Sequence, residues 1–551
     1  MNQRHFDHWP KGLPRHLTVP ETNLCYNLEV SARRYPDKPC IVFYDTPISY
    51  AECWREVERI AGFLCGQCGV ARGDRVLLYM QNSPQFVLAY YAILRANAVV
   101  VPVNPMNLTE ELRHYAQDTG AQTVFVPQDL YAQVQPLGLR HVLVAAYSDY
   151  LRQPTDLAVP EFVAAPRRDI AGAGVVMWRD MLAAGGEPPP LVAGPDDLCV
   201  MPYTSGTTGY PKGCMHTHRS VMVTAVAGMQ WFGTQQDTVG LSVLPLFHVT
   251  GMQGGMNGLV FIGGTMVLLA RWDRDTAADC IRRHRVNALQ LISTMVVDLL
   301  SSPRLGEYDL SSVRRMSGGG AAMPDAIAQK MHDLLGIDYV EGYGMSETIA
   351  PTHINPGERP KKQCLGIPIF DVDARVVDPV TLAELAPGEV GEIVVHGPQV
   401  MQGYWNNPDA SAEAFVQIDG QRFLRTGDLG RVDDDGYFFM VDRLKRMINA
   451  CGYKVWPAEV EALMYRHPAI REVCVVASRD ERRGETVKAV VALKEGYAGT
   501  VSEQEIVDWA HANMATYKSP RIVEFCAALP KSATGKILWR TLQEAQATAA
   551  R

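Results

Sequence analysis

The sequence predicts an α/β protein: a large multi-sheet layered N-terminal domain followed by a smaller α+β C-terminal domain. Three observations carry this. Stretches with helical and strand periods alternate through the N-terminal part, the pattern of largely parallel sheets covered by helices. A length of 551 residues exceeds what one ordinary core accommodates, so two or more domains are expected. Beyond about residue 441 the rhythm changes to helix, paired strands and helix within about a hundred residues, a normal domain size.

Ser49 opens "SYAECWREVERIAGFL" with Glu52 three residues on, a capping box leading into apolar residues at helical spacing. "RVLLYM" (75–80) reads as a buried strand, "SPQFVLAYYAILRANA" (83–98) as a helix and "VVVPVN" (99–104) as a strand. A further helix starts at Thr109 and leads to the strand "QTVFV" (122–126). Residues 128–195, with Pro188, Pro189 and Pro190, read as loop-rich. In the tail, "PAEVEALMYRHP" (457–468) is helical, "REVCVVAS" (471–478) and "ETVKAVVAL" (485–493) are strands, and Ser502 with Glu505 caps another helix. The charged "VDRLKRM" (441–447) is the candidate linker, giving domains 1–441 and 442–551. No internal repeat is visible.

Hydrophobic content of 47% and charged content of 20% describe a globular chain, and a net charge of −8 argues against a nucleic-acid partner. The most apolar stretch, "GLVFIGGTMVLLA" (258–270), is broken by glycines and bounded by Arg271, so no transmembrane segment is expected. Peripheral membrane contact and a homodimer are both left open. The N-terminus lacks the apolar core of a secretory signal. Twelve scattered cysteines show no paired metal spacing, Cys65 and Cys68 being an isolated pair, and a cytoplasmic location fits.

The chemistry concentrates in "YTSGTTGYPKG" (203–213), which packs hydroxyls, bare backbone and a lysine together. Clustered N–H and O–H donors with Lys212 suit a run of phosphate oxygens. The kinase-type spacing G-x-x-x-x-G-K-[ST] is not met, because Pro211-Lys212-Gly213 stands where it would close. "MSGGGAAMP" (316–324) reads as a bare-backbone turn able to lie flat against a base. In "EGYGMSET" (341–348), Tyr343 could stack on adenine, Ser346 could bond a phosphate and Glu347 could hold a hard cation such as Mg²⁺. "RTGDLG" (425–430) presents Asp428 in a glycine turn, where a carboxylate can accept from both ribose hydroxyls. Each alone also describes an ordinary capped turn.

Their order is more specific. "YTSGTTGYPKG", "LPLFH" (244–248), "SGGGAAMP", "GYGMSE", "GEIVVHGPQVMQGYW" (391–405), "RTGDLG", "DRLKRMI" (442–448), "GYKVWPAEVE" (452–461) and "PKSATGK" (530–536) together resemble the adenylate-forming superfamily. That superfamily contains acyl-CoA synthetases, luciferases and the adenylation domains of peptide synthetases. The resemblance runs from about residue 25 to 542. "VPVNP" (101–105), "MINACGYKVWPAEVE" (447–461) and "RHPAI" (466–470) look most like a medium- or long-chain fatty acyl-CoA synthetase.

The resemblance implies a mobile C-terminal domain and AMP-forming ligation of a carboxylic acid to coenzyme A, with ATP and Mg²⁺. It implies that Thr204, Ser205, Gly206, Thr207, Thr208, Gly209 and Lys212 wrap the β- and γ-phosphates. Gly320, Ala321 and Tyr343 would hold adenine, Ser346 the α-phosphate and Glu347 the Mg²⁺, while Asp428 and Arg443 would bind ribose. Lys536 matches the catalytic lysine, Lys445 the hinge, Gly452 the loop on the coenzyme A side, and His248 the gate beside the acyl site. Ser346 stands where threonine is commoner, and Glu341 where an amide often meets adenine. Asn449 stands where luciferases carry a second-step lysine, which counts against that branch. Met252, Met256, Met295 and Trp231 lie in segments that could line an acyl pocket, with core packing as the competing explanation. The alternatives are an adenylating enzyme for an aryl or other acid, or one feeding a carrier protein.

Overall fold

A computed structural model describes residues 4–204, 211–320, 323–446, 448–450, 453–480, 484–497, 499–531 and 537–549. The architecture is mixed α/β, and the chain divides into two compact units. One comprises Gln3–Asp373 with Val395–Leu424, the other Ala374–Val394 with Arg425–Arg551.

The capping signals become helix starts. Tyr50–Gly66 begins where the Ser49 side chain accepts from the Glu52 amide at 3.2 Å, and Pro84–Arg95 begins on a Ser83 cap to Phe86 at 3.1 Å. Each cap satisfies an amide that the first turn leaves unpaired. In the first unit, Pro84–Arg95 packs on a seven-stranded sheet and Tyr50–Gly66 packs against Pro84–Arg95. The sheet order is His216–Thr217, Leu198–Val200, Val99–Val103, Arg75–Tyr79, Thr123–Pro127, His141–Ala145 and Val175–Met177. The last two strands and the helix Trp178–Ala184 fall in the stretch that reads as loop-rich from sequence. Elements this short show too little periodicity to stand out between prolines.

A nine-stranded sheet carries the motifs. Its central strands Tyr339–Tyr343, Arg315–Gly319, Ala288–Gln290, Val239–Ser242, Thr265–Leu268 and Pro39–Phe43 are all mutually parallel. Three motif segments leave the carboxyl ends of three of these strands: "LPLFH" after Ser242, Gly320 after Gly319, and Gly344–Glu347 after Tyr343. Loops at that edge of a parallel sheet are where open α/β folds bind ligands.

In the second unit, Ile470–Asp480 and Gly484–Leu493 form a long antiparallel pair, and Ile448–Ala450 and Ile522–Phe525 both pair with Gly484–Leu493, the first at Gly484 and the second in parallel at Lys488–Val491. Helix Glu503–Asn513 starts on the full Ser502–Glu505 capping box. Helix Pro457–Met464 buries Val460 and Met464 in a core with Ile448, Val475 and Val487. Among the described residues, no helix is long and apolar enough to cross a membrane.

Candidate active site

Thr204 and Lys212 pair directly across a two-stranded ribbon, as do Tyr203 and Gly213. The ribbon brings the two ends of the hydroxyl-rich segment together; Ser205, Gly206, Thr207, Thr208 and Gly209 lie outside the described residues. Tyr203 anchors one end, donating its hydroxyl to Asp118 at 2.5 Å and packing its ring 4.5 Å from that of Tyr115.

The other end is tied to a distant segment. Trp405 donates its amide to the Gly213 carbonyl at 2.8 Å, and Met215 donates to Gly403 at 3.0 Å. These bonds seat Tyr404 beside Cys214. The Tyr404 ring then lies 5.1 Å from the Lys212 ammonium, a cation–π arrangement. Its hydroxyl donates to Glu347 at 2.9 Å. Burial, and then the Glu347 charge, push the Tyr404 phenol well above its usual range, so it stays a proton donor at neutral pH.

Glu347 is 8% exposed and sits in the single 3-10 turn Ser346–Thr348. Two left-handed non-glycine residues follow, Ile349 with φ 46° and Ala350 with φ 81°. Such backbone is costly and persists only where neighbours enforce it. Here the Thr348 hydroxyl donates to the Ala350 carbonyl at 3.1 Å, and the Met401 amide donates to the Glu347 carbonyl at 2.8 Å. His216, fully buried, holds the Ser346 carbonyl at 2.7 Å through Nε2, and desolvation lowers its pKa to about 4. The neutral ring is therefore a structural strut to the turn that presents Ser346 and Glu347. Tyr343 lies 5.6 Å from the ring of His353, its partner on the next strand.

Several motifs take a different local form from their sequence reading. "MSGGG" is mostly strand, with the bend only at Gly320, whose φ is +87°. A Cβ on Gly319 would stand 2.2 Å from the Gly342 carbonyl, so the approach of two strands already demands glycine there. Asp428 likewise lies within the strand Gln421–Val432, not in a turn. It is buried and pairs with the half-exposed Arg443 at 2.9 Å, across the register Asp428–Arg443. Glu341 accepts from the Met323 and Cys364 amides at 2.7 and 3.0 Å, a buried clamp whose carboxyl is raised by desolvation. His248 caps the short helix Val249–Met252, its Nδ1 accepting from Thr250 at 3.4 Å. Met252 and Met256 are fully buried in the core, and Trp231 packs edge-on against Trp9 and Phe370.

The structure thus brings Lys212 and Glu347 to one aromatic ring in the first unit, and Asp428 to Arg443 in the second. Lys445 contributes its backbone to the turn Leu444–Arg446, while Ala321, Gly452 and Lys536 lie outside the described residues. Tyr404 and His216 are the site residues that sequence reasoning missed. Tyr404 lies inside a quoted motif, but no spacing rule links it to a glutamate 57 positions away.

Comparison with known proteins shows the family. Residues 28–405 match the family model described as AMP-binding enzyme, and residues 459–536 match its C-terminal domain. The chain belongs to the AMP-binding enzyme family. It is 35% identical over 554 residues to a long-chain-fatty-acid–CoA ligase of Bacillus subtilis (strain 168), covering 97% of each. It is also 35% identical over 509 residues to a feruloyl-CoA synthase of Amycolatopsis sp, covering 92% of this chain and 96% of the relative. The crystal structure of ATP-bound MatB from Rhodopseudomonas palustris superposes with a TM-score of 0.84 at 27% identity, covering 97% of this chain and all of that one, or 100%.

Proposed function

We propose that this protein is an AMP-forming acid–thiol ligase, which activates a carboxylic acid with ATP and passes the acyl group to coenzyme A. The observation that carries the reading is Tyr404, whose single ring orients a carboxylate for a hard cation and underlies a lysine for phosphate.

A carboxylate resists nucleophiles until its oxygen becomes a leaving group, and joining it to AMP achieves that. As the acid displaces pyrophosphate from the α-phosphorus, charge grows on phosphate oxygens, and pre-placed cations and donors stabilise it. Lys212, with the hydroxyls of residues 204–208, would meet the departing pyrophosphate. Ser346 would bond the α-phosphate, and Tyr343 with Gly320 and Ala321 would flank adenine.

The residues present fit Mg²⁺. Glu347 offers a hard oxygen, and no cluster of three metal-ligating side chains occurs among the described residues. That matches an ion held by one carboxylate and completed by substrate phosphates and water. Bound there, Mg²⁺ would neutralise phosphate charge.

Asp428 and Arg443 would bind ribose, and Lys536 would bridge carboxylate and α-phosphate. We place the domain boundary near residue 442 and the hinge at Lys445. Rotation there would withdraw Lys536 and bring Gly452 to the thiol path for the second step. His248 would gate the acyl site.

The 35% identity to the Bacillus relative supports a medium- or long-chain fatty acid, and the equal identity to the Amycolatopsis relative supports an aryl acid. Pyrophosphate release with and without coenzyme A, run over acids from acetate to palmitate plus benzoate, tests the class. Thioester formed only with coenzyme A supports it. Adenylate formed but never passed to coenzyme A points instead to a carrier-protein acceptor.

A further inference from the structure

One helix holds both ends of the hydroxyl-rich segment. On helix Thr109–Thr119, the side chains of His114, Tyr115 and Asp118 share a face, the outer two being four positions apart. Asp118 accepts from the Tyr203 hydroxyl at 2.5 Å, and the Tyr115 ring packs 4.5 Å from that of Tyr203. These contacts fix the entry to the segment. At its exit, the Nε2 of His114 lies 2.9 Å from the Pro211 carbonyl oxygen. A carbonyl can only accept, so Nε2 carries a proton and donates it. The His114 ring also stands edge-on to Tyr203, with ring centres 6.2 Å apart.

The same helix carries a third piece. The backbone carbonyl of Asp118 accepts from Trp405 Nε1 and from the Asn406 side-chain amide, each at 2.9 Å. Both residues follow Tyr404, whose ring lies 5.1 Å from the Lys212 ammonium. The Pro211 carbonyl bears on Lys212 more directly. The carbonyl of residue 211 and the N–H of residue 212 belong to one planar unit. A bond that aims the carbonyl therefore aims the plane from which Lys212 departs. Proline has no N–H of its own, so its carbonyl is the backbone handle on that residue. Ladder pairing with Thr204 sets the strand neighbour of Lys212, and His114 sets the peptide before it.

We propose that His114 is a positioning residue for the first half-reaction. Through the Pro211 carbonyl it sets the direction in which Lys212 reaches the leaving phosphates of ATP. This rests on the ligase reading above and on the role given there to Lys212. Catalysis depends on placing such groups to within about 1 Å, so a tether one residue away from a charge is felt at its ligand.

The test compares His114→Ala, His114→Gln and His114→Asn in the full chain. Alanine is a good helix former and removes the donor. KM for ATP should rise roughly three- to tenfold in His114→Ala, the scale of one lost hydrogen bond, with KM for the acid unchanged. Glutamine places an amide nitrogen near the position of Nε2, and His114→Gln should return KM for ATP to near the parent's value. Asparagine reaches only as far as Nδ1, and His114→Asn should not. Given synthetic acyl-adenylate and coenzyme A, all three variants should form thioester at the parent rate, because no departing phosphates take part. A helix that had merely loosened would lower the thermal midpoint and slow both half-reactions alike, with no selection between glutamine and asparagine. An unchanged KM for ATP in a folded His114→Ala, or a glutamine variant no better than the asparagine one, would overturn the proposal and leave the ligase reading intact. The second comparison stands even where His114→Ala fails to fold. A parent protein that releases no pyrophosphate with any acid overturns both.

Discussion

The Tyr404 hydroxyl donates to the Glu347 carboxylate at 2.9 Å, holding in one orientation the group proposed to meet a cation. Tyr404→Phe keeps the ring under Lys212 and removes only that bond. Losing one hydrogen bond to a charged group costs about 1.5–3 kcal/mol. Adenylation should fall at least tenfold, and half-saturation by Mg²⁺ should rise several-fold. Glu347→Gln, which exchanges a hard ligand for an amide, should abolish Mg²⁺-dependent adenylation without unfolding the chain. Pyrophosphate release titrated with Mg²⁺ checks both, and an unaltered Mg²⁺ curve for Tyr404→Phe would leave that tyrosine a packing role alone.

Lys212 stacks on the same ring, at one end of the hydroxyl-rich segment. Lys212→Ala should raise KM for ATP more than KM for the acid, because its proposed contacts are with the leaving phosphates. Initial rates varied in both substrates measure the two constants. A change confined to the acid would contradict the assignment.

Lys536 is assigned to the first half-reaction only. Lys536→Ala should lose adenylation by several powers of ten, on the order of removing a central charge stabiliser. Given synthetic acyl-adenylate and coenzyme A, the same variant should form thioester at nearly the parent rate. A parallel loss in both half-reactions would sink the rotating-domain account. Circular dichroism establishes that the variant is folded.

His216 sets an acid limit on stability. In the folded chain its pKa is about 4, against an ordinary 6.5, because burial disfavours the cation. Above pH 6.5 both states are neutral. Below it the unfolded chain takes up a proton that the native ring refuses, so stability falls progressively until about pH 4. The loss from this ring is roughly 3 kcal/mol. His218, also lowered to about 4, and His353, lowered to about 3, act in the same direction. His216→Gln keeps a donor for the Ser346 carbonyl and removes the titration. Its thermal midpoint should decline less steeply than the parent's between pH 7 and 4.5, and equal slopes would remove His216 from this account.

Much of the fold was legible because its signals are local. The Ser49 and Ser502 caps, the helix read at 83–98 and the apolar runs at 75–80, 99–104 and 122–126 all became elements of the expected kind. A cap joins residues three apart, and a hydrophobic period is read within one segment. The order of the nucleotide motifs was legible for the same reason, since each is contiguous.

What stayed hidden depends on long-range register. "SGGG" looked like a turn because glycine supplies backbone freedom, yet Gly319 is glycine so that two strands can touch. His216 and Ser346 meet across 130 residues, and their contact exists only once two sheets are assembled.

The amino-acid sequence alone determined the α/β class, the capped helices and the family's motifs, because short-range sterics, capping and periodicity act within a few residues. Only the tertiary structure decided that Tyr404 meets Lys212 and Glu347 together, and that the buried His216 holds the Ser346 carbonyl. Burial and charge pairing belong to the space between segments, and sequence distance does not measure that space.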